Sequence, residues 1–239
     1  MYEIITSLNN NFIKEIKKLR LKKNRQKLNK FIIESKKLIL EAISSGYEVE
    51  RVFVMEGKLS LFHNETYISE KLFNDVSCMV NPDGYLAILR IKKNNFLSNK
   101  VLILDNIQDP GNMGTLIRSA EAFGFNTIVS INSVDFYNEK VLRATMGSVF
   151  RLNLIDTNYS FLENMKDYTI YIADMHGYDY RKSIPSKKIA IVIGNEGNGI
   201  SDEILKIKHE LIKIPMLGRI ESLNAGVSGA ILMSNFIEE

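Results

Sequence analysis

The chain has 239 residues, of which 45% are hydrophobic and 25% are charged, and its net charge is +3. This length suffices for one large domain or two modest ones, and the composition is typical of a globular protein. No apolar run approaches the roughly 20 residues of a membrane span, and the N-terminal segment lacks the pattern of a secretory signal. The single cysteine, Cys78, excludes an internal disulfide and a cysteine-based zinc cluster. We therefore expect a cytoplasmic protein.

The charge is unevenly distributed along the chain. Residues 1–40 contain eleven Lys or Arg against three Glu, a net charge of +8, whereas the remainder has a net charge of −5. Because Lys and Arg neutralise phosphates, a basic segment on an otherwise acidic protein suggests a polyanionic partner such as RNA. The alternative is a solvated helix face, the usual role of a charged run. If RNA binds here, the expected contacts are Lys22, Lys23, Arg25 and Lys27.

The first part of the chain alternates helical and strand-like patterns. Apolar residues at helical spacing predict a helix within the lysine-rich segment, and a second helix is predicted at 36–44. These elements indicate a small α/β unit over residues 1–95, and the polar stretch 92–100 is the best linker candidate. Short apolar runs predict strands at 30–34, 49–55 and 86–91.

The remainder, residues 96–239, has the pattern of an α/β domain with a parallel sheet. Its strands are short and almost continuously apolar, as expected where both faces of a sheet are buried, and helical stretches separate them. In such sheets ligands bind at the carboxyl ends of the strands, so the loops that follow the strands are the candidate sites. The predicted strands are 101–104, 127–131, 168–173, 188–193 and 211–214.

The first unusual loop spans 105–114 and leads into a helix that we expect to begin near Asn112. Asn112 is a good helix N-cap, and capping alone would explain it. Arg118 is harder to explain, because the helix dipole disfavours a cation in the first half of a helix. Pairing with Glu121, three residues further on, would give Arg118 a purely structural role. This loop by itself leaves both explanations open.

The second unusual loop, 194–201, contains three glycines within six residues, which permit close approach of a ligand or positive φ angles. Their order, G-x-x-G-x-G, differs from the dinucleotide-binding pattern G-x-G-x-x-G, and the chain has no G-K-[ST] phosphate loop, which disfavours a generic nucleotide-binding enzyme. Glu196, inside this loop, must be solvated or must have a partner.

The third unusual loop begins at 214 and precedes a helix that we expect to start near Leu223, with Ser222 as its cap. This helix has small residues within a single turn, although glycine costs up to about 1 kcal/mol relative to alanine in a helix. Such residues suit the close approach of another backbone, either in a dimer interface or where the chain is threaded through another loop. The small residues are Gly226, Ser228, Gly229 and Ala230.

In combination, the stretches 104–125, 193–201 and 214–230 resemble the three signature motifs of the TrmH-like (SpoU) branch of the SPOUT superfamily, which are RNA ribose 2′-O-methyltransferases. Residues 1–95 are similar to the L30e-like RNA substrate-binding domain of this family, most recognisably at 31–42. The resemblance implies that residues 96–239 form a SPOUT methyltransferase domain with a C-terminal trefoil knot, a rare exception to the rule against threaded chains. It also implies a homodimer.

The resemblance further implies a substrate, a set of site residues and the cofactor S-adenosylmethionine. The three histidines are scattered along the chain and do not form a ligand set, so no metal is expected. The separate N-terminal domain favours 23S ribosomal RNA as the substrate, because the tRNA enzymes of this branch usually lack that domain. The alternatives are a tRNA 2′-O-methyltransferase and a non-catalytic RNA-binding or ribosome assembly factor. The residues expected against the cofactor are Gly194, Ile214, Met216 and Leu223. Arg118 would be the main catalytic residue, and the other polar positions of the family's active site match Asn112, Glu196, Ser222 and Asn224.

Ribose methylation requires removal of a proton from the 2′-hydroxyl and an in-line attack on a methyl group. None of the three histidines lies in the three loops. Because arginine does not readily lose a proton, Arg118 acts either as a base assisted by an RNA phosphate or as a stabiliser of the developing alkoxide. Two positions depart from the family pattern: Ser35 stands where glycine is usual, and Ala225-Gly226 stands where Val-Ser is usual.

Overall fold

The computed structural model describes residues 3–93, 96–184, 186–220 and 222–237. The chain divides into two compact units, Met1–Lys92 with Tyr137–Leu142, and Lys93–Phe136 with Arg143–Glu239. Asn94 and Asn95, which belong to the predicted linker, lie outside the described residues. In the part of the chain that is described, no helix is long and apolar enough to cross a membrane.

The first unit is built on a five-stranded mixed sheet with the strand order β1-β4-β3-β5-β2. Strand β5 is antiparallel to β2 and β3, whereas the other neighbouring strands are parallel. The predicted strands at 30–34 and 49–55 and the predicted helix at 36–44 are confirmed. The elements of this unit are β1 (Ile4–Ile5), α1 (Asn11–Leu19), α2 (Lys22–Leu28), β2 (Lys30–Glu34), α3 (Lys36–Ser44), β3 (Val49–Met55), β4 (Glu65–Ile68), α4 (Glu70–Val76) and β5 (Tyr85–Arg90).

Helix α1 buries every third residue, Ile13, Ile16 and Leu19, because this spacing keeps apolar side chains on one side of a helix. These residues pack with apolar side chains of α4 and of the sheet, including Phe53 and Leu86, to form one hydrophobic core. The lysines of α1 are thereby left on its exposed side.

The segment Tyr137–Leu142 belongs to the first unit, although the sequence prediction places it in the second domain. The ring centroid of Tyr137 lies 4.4 Å from that of Phe31, and Glu139 forms an ion pair with Arg20 at 2.6 Å. These aromatic and ionic contacts link residues that are more than 100 positions apart, which local sequence patterns do not reveal. Helix α6 (Glu139–Ala144) begins in this segment and ends in the second unit.

The second unit contains a six-stranded sheet with the order β11-β9-β10-β6-β7-β8, in which all neighbouring strands are parallel. This sheet confirms the predicted parallel α/β fold. Short 3-10 helices occupy Ser148–Phe150, Tyr159–Met165 and Tyr180–Lys182. The other elements are β6 (Lys100–Asp105), α5 (Pro110–Ala122), β7 (Thr127–Ile131), β8 (Asn153–Thr157), β9 (Thr169–Asp179), β10 (Ile189–Ile193), α7 (Asp202–Leu205), β11 (Glu210–Lys213) and α8 (Ala225–Ser234).

The central strands of this sheet are buried on both faces, as their continuous apolar sequences predict. Val101 and Val192 belong to a hydrophobic cluster on one face, and helices α5 and α8 pack together on the other. The first loop follows β6, the second follows β10, and these two strands are direct neighbours. Two loops of the candidate site are therefore brought together by strand pairing alone.

Candidate active site

The first loop is fixed by the start of α5. Asp109 caps this helix, since its side chain accepts a hydrogen bond from the backbone amide of Asn112 at 2.8 Å, and Pro110 occupies the first turn. The prediction that the helix begins near Asn112, with Asn112 as its cap, is therefore wrong. Proline at the first helical position explains the earlier start, because its missing N–H has no partner there in any helix. Asn112 lies inside the helix, and its side chain is available for other contacts.

Asn112 joins the three loops. Its side-chain amide donates a hydrogen bond to the carboxylate of Glu196 in the second loop. Its carbonyl oxygen accepts from the side-chain amide of Asn224, at the end of the third loop, at 2.7 Å. Asn112 is only 9% exposed, so these bonds satisfy a nearly buried amide. Three of the predicted catalytic residues thus form one connected group.

The second loop is a tight hairpin between Asn195 and Gly199, which exchange backbone hydrogen bonds of 3.0 and 2.9 Å. The side chain of Asn195 accepts from the backbone amides of Gly197 and Asn198, so it shapes the turn from within. At Gly194 an added Cβ would lie 2.5 Å from the carbonyl oxygen of Gly199, and only glycine fits. This loop presents the exposed Glu196 at its tip.

Asp105, at the end of β6, ties the first two loops together. Its fully buried carboxylate accepts from the backbone amide of Ser201 at 2.7 Å, the hydroxyl of Tyr159 at 3.0 Å and the side-chain amide of Asn106 at 2.8 Å. Asn195 adds a second link, since its amide donates to the backbone oxygen of Asn106 at 2.8 Å. These bonds hold the loop that carries Glu196 against the end of β6.

The sequence did not single out Asp105, Asn106, Asn195 or Tyr159 as site residues. One signal was present: Asp105 directly follows the buried apolar run 101–104, and a carboxylate in such a place requires hydrogen-bond donors. The distant partners of that carboxylate, from positions 159 and 201, have no local signature.

The third loop ends at Asn224, which caps α8 by accepting from the backbone amide of Val227 at 3.2 Å. The prediction that Ser222 caps a helix starting near Leu223 is therefore wrong by two residues. Ser222 is exposed and Leu223 is half-buried. Asn224 uses its oxygen for the cap and its amide for Asn112, so one side chain sets both the start of α8 and the geometry of the site.

The third loop itself presents backbone and apolar groups to the outside. Met216 and the residues up to Ile220 are exposed, whereas Ile214 is half-buried. Among the described residues, the backbone amides of 216–220 have no hydrogen-bond partner. Free backbone donors beside exposed methionine and leucine side chains suit an adenosyl group, which offers hydrogen-bond acceptors and an apolar ring. The donor set of this loop therefore fits S-adenosylmethionine.

Helices α5 and α8 approach each other closely within this unit. An added Cβ at Gly226 would lie 2.9 Å from Thr115, and one at Gly229 would lie 2.2 Å from Leu116. The small residues of α8 therefore permit a close helix contact inside one chain, as well as any contact between chains.

Arg118 is not part of the connected group of Asn112, Glu196 and Asn224. It lies six residues after Asn112 on α5, which places it roughly 9 Å further along the helix and about 120° around it. Its side chain is exposed, and within the described parts of the chain it has no ion pair or hydrogen bond. Glu121 instead pairs with Arg151, which lowers the pKa of the Glu121 carboxyl. The structural explanation of Arg118 as the partner of Glu121 is therefore wrong.

The predicted RNA-contact residues differ in their surroundings. Lys22, Lys23 and Lys27 are exposed on α2. Arg25 is only 4% exposed, and its guanidinium donates to the backbone oxygens of Leu19 at 2.8 Å and Arg20 at 2.9 Å. The prediction of an RNA contact for Arg25 is therefore wrong, because its donors satisfy carbonyl groups at the C-terminal end of α1.

Comparison with known proteins assigns the chain to a family. The model of the SpoU rRNA Methylase family matches residues 99–234, and that of the MRM3-like substrate binding domain matches residues 10–87. The chain belongs to the SpoU rRNA methylase family. Among relatives of this SpoU protein, the 23S rRNA (guanosine(2553)-2′-O)-methyltransferase RlmP of Bacillus subtilis is 33% identical, over 96% of this chain and 97% of the relative.

Solved structures agree with this assignment to the SpoU family. The AdoMet-bound rRNA methyltransferase from Sinorhizobium meliloti is similar with a TM-score of 0.86 and 26% identity, covering 98% of this chain and 97% of the other. An RNA 2′-O ribose methyltransferase is similar with a TM-score of 0.79 and 27% identity, covering 98% and 97% of the two chains. Both similarities therefore cover the first unit as well as residues 99–234, which match the SpoU family model.

Proposed function

We propose that this protein transfers the methyl group of S-adenosylmethionine to a ribose 2′-hydroxyl of 23S ribosomal RNA. The observation that carries this proposal is the hydrogen-bonded group of Asn112, Glu196 and Asn224, which joins the three loops after β6, β10 and β11. Similarity to RlmP over almost the whole of both chains supports ribosomal RNA as the substrate, because it includes the substrate-binding unit.

The residues proposed to hold the cofactor are Gly194, Ile214, Met216 and Leu223. Gly194 keeps the second loop close to its own strand end, and the third loop offers backbone amides without partners among the described residues. When bound, S-adenosylmethionine supplies a positively charged sulfonium whose methyl group is the electrophile. The protein has to position the two reactants and manage one proton.

Each polar residue of the site has a proposed role. Asn112 and Asn224 hold the carboxylate of Glu196 in place, so that Glu196 orients groups at the reaction centre. Ser222, exposed beside the end of the third loop, is proposed to contact the substrate. Arg118 is proposed to stabilise the developing alkoxide and to bind an adjacent RNA phosphate, a task that its bidentate, permanently charged guanidinium suits. Its exposure and lack of a partner among the described residues leave it available for RNA.

The domain organisation is also a proposal. We assign residues 1–95 to an L30e-like RNA-binding domain and residues 96–239 to a SPOUT methyltransferase domain. A C-terminal trefoil knot would account for the path of the third loop, which leaves the edge strand β11 and reaches α5 beside the interior strand β6. We further propose a homodimer that acts in the cytoplasm. Exposed apolar side chains of the third loop and α8 support the dimer, among them Leu217, Ile220 and Val227.

The decisive experiment for the function is methyl transfer from labelled S-adenosylmethionine to unmodified 23S rRNA, with the modified nucleotide mapped by mass spectrometry. Arg118→Ala should reduce turnover by a factor of about 100 or more while the Kd for the cofactor is unchanged, since Arg118 acts on charge that develops in the transition state. Arg181→Ala, at another exposed arginine of the same unit, is the matched control and should retain activity. Incorporation into a base, or no incorporation by the wild-type enzyme, would refute the proposal.

A further inference from the structure

Five exposed lysines of the first unit lie close together in sequence on two consecutive helices. Lys14, Lys17 and Lys18 are on α1, and Lys23 and Lys27 are on α2. In the described parts of the chain, none of the five forms an ion pair or a hydrogen bond through its ammonium group. We refer to these five residues as the lysine surface.

Three other basic residues between positions 14 and 30 are occupied within the unit. Lys30 forms ion pairs with Glu15 at 2.9 Å and with Glu50 at 2.6 Å. Arg20 is paired with acidic side chains, including Glu34 at 2.8 Å, and Arg25 binds backbone carbonyls of α1. The structure therefore distinguishes Lys30, Arg20 and Arg25, which are paired within the unit, from the unpaired lysine surface.

The two helices that carry the lysine surface are held rigidly together. Arg25 donates to the backbone oxygens of Leu19 and Arg20, and Asn24 donates to that of Lys18 at 2.8 Å. These bonds satisfy carbonyls at the C-terminal end of α1 and fix α2 upon it. A partner of the lysine surface would thus meet a preformed backbone, which reduces the entropic cost of binding.

Local helix electrostatics explain only part of this surface. Lys17 and Lys18 lie in the last turn of α1, where the helix dipole favours a cation. Lys14 lies in the middle of α1, and Lys23 lies in the first turn of α2, where a cation is unfavourable by a few tenths of a kcal/mol. The helix dipole therefore does not account for Lys14 and Lys23, and both are available to a partner of opposite charge.

We propose that the lysine surface binds the phosphate backbone of the RNA substrate. This inference rests on the proposed function and identifies the part of the first unit that holds the RNA. Lysine ammonium groups are flexible point charges, so they attract phosphates without reading bases. The surface therefore contributes affinity and leaves the choice of nucleotide to other contacts.

The test uses the full-length triple variant Lys14→Gln, Lys23→Gln, Lys27→Gln and an unmodified 23S rRNA transcript. Glutamine preserves helix propensity, and an unchanged circular dichroism spectrum and Tm verify the fold. In filter binding, the Kd should rise about tenfold or more near 0.1 M salt, and the slope of log K against log salt should decrease by about 2–3. In methylation assays, KM for RNA should rise while kcat at saturating RNA is unchanged.

The matched control is Lys37→Gln, Lys58→Gln, Lys71→Gln, which removes the same charge from exposed lysines elsewhere in the first unit. This variant should bind with a Kd within about threefold of wild type, as expected for charges that contact no phosphate. An unchanged Kd and salt slope in the first variant, or an equal loss in the control, would overturn the inference. Because filter binding needs no turnover, a wild-type protein that binds RNA through these lysines but transfers no methyl group would refute the proposed function alone.

Discussion

Asn224 donates its side-chain amide to the side-chain oxygen of Asn112 at 2.7 Å, although 112 positions separate these residues. Each of these side chains makes a further hydrogen bond. The side-chain oxygen of Asn224 caps α8, and the side-chain amide of Asn112 donates to Glu196. The start of one helix is thereby bonded to the first turns of another and to the glycine-rich loop. Substitutions at these positions are expected to affect the site and the local fold together.

Asn112→Asp should make the site sensitive to pH. It replaces the donor to Glu196 with a second carboxyl group, and two adjacent carboxylates share a proton, which raises the pKa of the pair. Below that raised pKa the shared proton restores a hydrogen bond, whereas above it the two charges repel. We expect a loss of about 1–3 kcal/mol in stability near pH 8 that diminishes as the pH falls. Thermal unfolding from pH 5.5 to 8.5 measures this effect, and Asn112→Ala, which adds no acid, should lack the pH dependence.

Asp105→Asn should weaken cofactor binding. Both carboxylate oxygens of Asp105 accept hydrogen bonds, whereas asparagine replaces one of these oxygens with an NH2 group, which cannot accept. At least one bond, to Ser201, Tyr159 or Asn106, would therefore be lost at a cost of about 1–3 kcal/mol. Because these bonds hold the second loop, we expect the Kd for S-adenosylmethionine to rise about tenfold, the equivalent of roughly 1.4 kcal/mol. Equilibrium dialysis measures this Kd. Asp167→Asn, at an exposed position, is the control, and equal Kd values for both variants would contradict a positioning role for Asp105.

Gly229→Ala should destabilise the second unit. The added methyl group would lie 2.2 Å from Cδ2 of the fully buried Leu116, so this side chain would have to shift within a close-packed core. Overpacking of this kind costs typically about 1–3 kcal/mol, which exceeds the gain of about 1 kcal/mol from replacing glycine in a helix. Urea denaturation gives the free energy of unfolding. Ser228→Ala in the same helix should be close to neutral, and combining Gly229→Ala with Leu116→Ala should cost less than the sum of the single effects.

Ser35→Gly should stabilise the first unit. Ser35 has a φ of 110°, a conformation that favours glycine, while its side chain caps α3 through Leu38 at 3.3 Å. Relief of backbone strain is worth about 1–3 kcal/mol, whereas a glycine cap costs only a few tenths. We expect a net gain of about 1 kcal/mol in the free energy of unfolding. Ser35→Ala, which keeps the strain and loses the cap, should be less stable than wild type, and the opposite order of the two variants would exclude this explanation.

Cys78 should react slowly with alkylating agents despite its exposure. The pKa of the thiol is raised from 9.0 to about 11. Desolvation of the thiol is the largest cause, and its hydrogen bond to the carboxylate of Glu139 is the second. Since the thiolate is the nucleophile, the reactive fraction at pH 8 falls by about a hundredfold. Iodoacetamide labelling of the folded protein, followed by mass spectrometry, should show this retardation. The Glu139→Gln variant should be labelled faster than the wild-type protein. Rapid labelling of the wild-type protein would contradict the raised pKa.

Much of the second unit was predictable because buried parallel strands are continuously apolar. Strand β8 was missed because its sequence, Asn153–Thr157, is largely polar. The end of β9 was missed because its apolar run gives way to polar residues, the half-buried Asp174 and the exposed His176. The start of α5 had a local signal in Pro110, but Asp109 and Asn112 are both good caps by residue type.

The functional residues also include some that could be identified from the sequence and some whose surroundings could not. The motif resemblance identified Asn112, Glu196 and Asn224 as site residues, and these three are in contact. The sequence gives no sign that Arg25 faces carbonyls of α1, whereas neighbouring lysines face solvent. A count of charges along the chain contains no information on which of them the fold has already paired.

The separation of the site residues along the chain has a kinetic consequence. Glu196 and Asn224 reach Asn112 across 84 and 112 positions, so each contact closes a long loop, and contacts of this kind form slowly. Local helices of the first unit require no such closure. During refolding, helical structure should therefore precede the ability to bind S-adenosylmethionine. A newly made chain would pass through a period in which its lysines already attract RNA while methyl transfer has not yet become available.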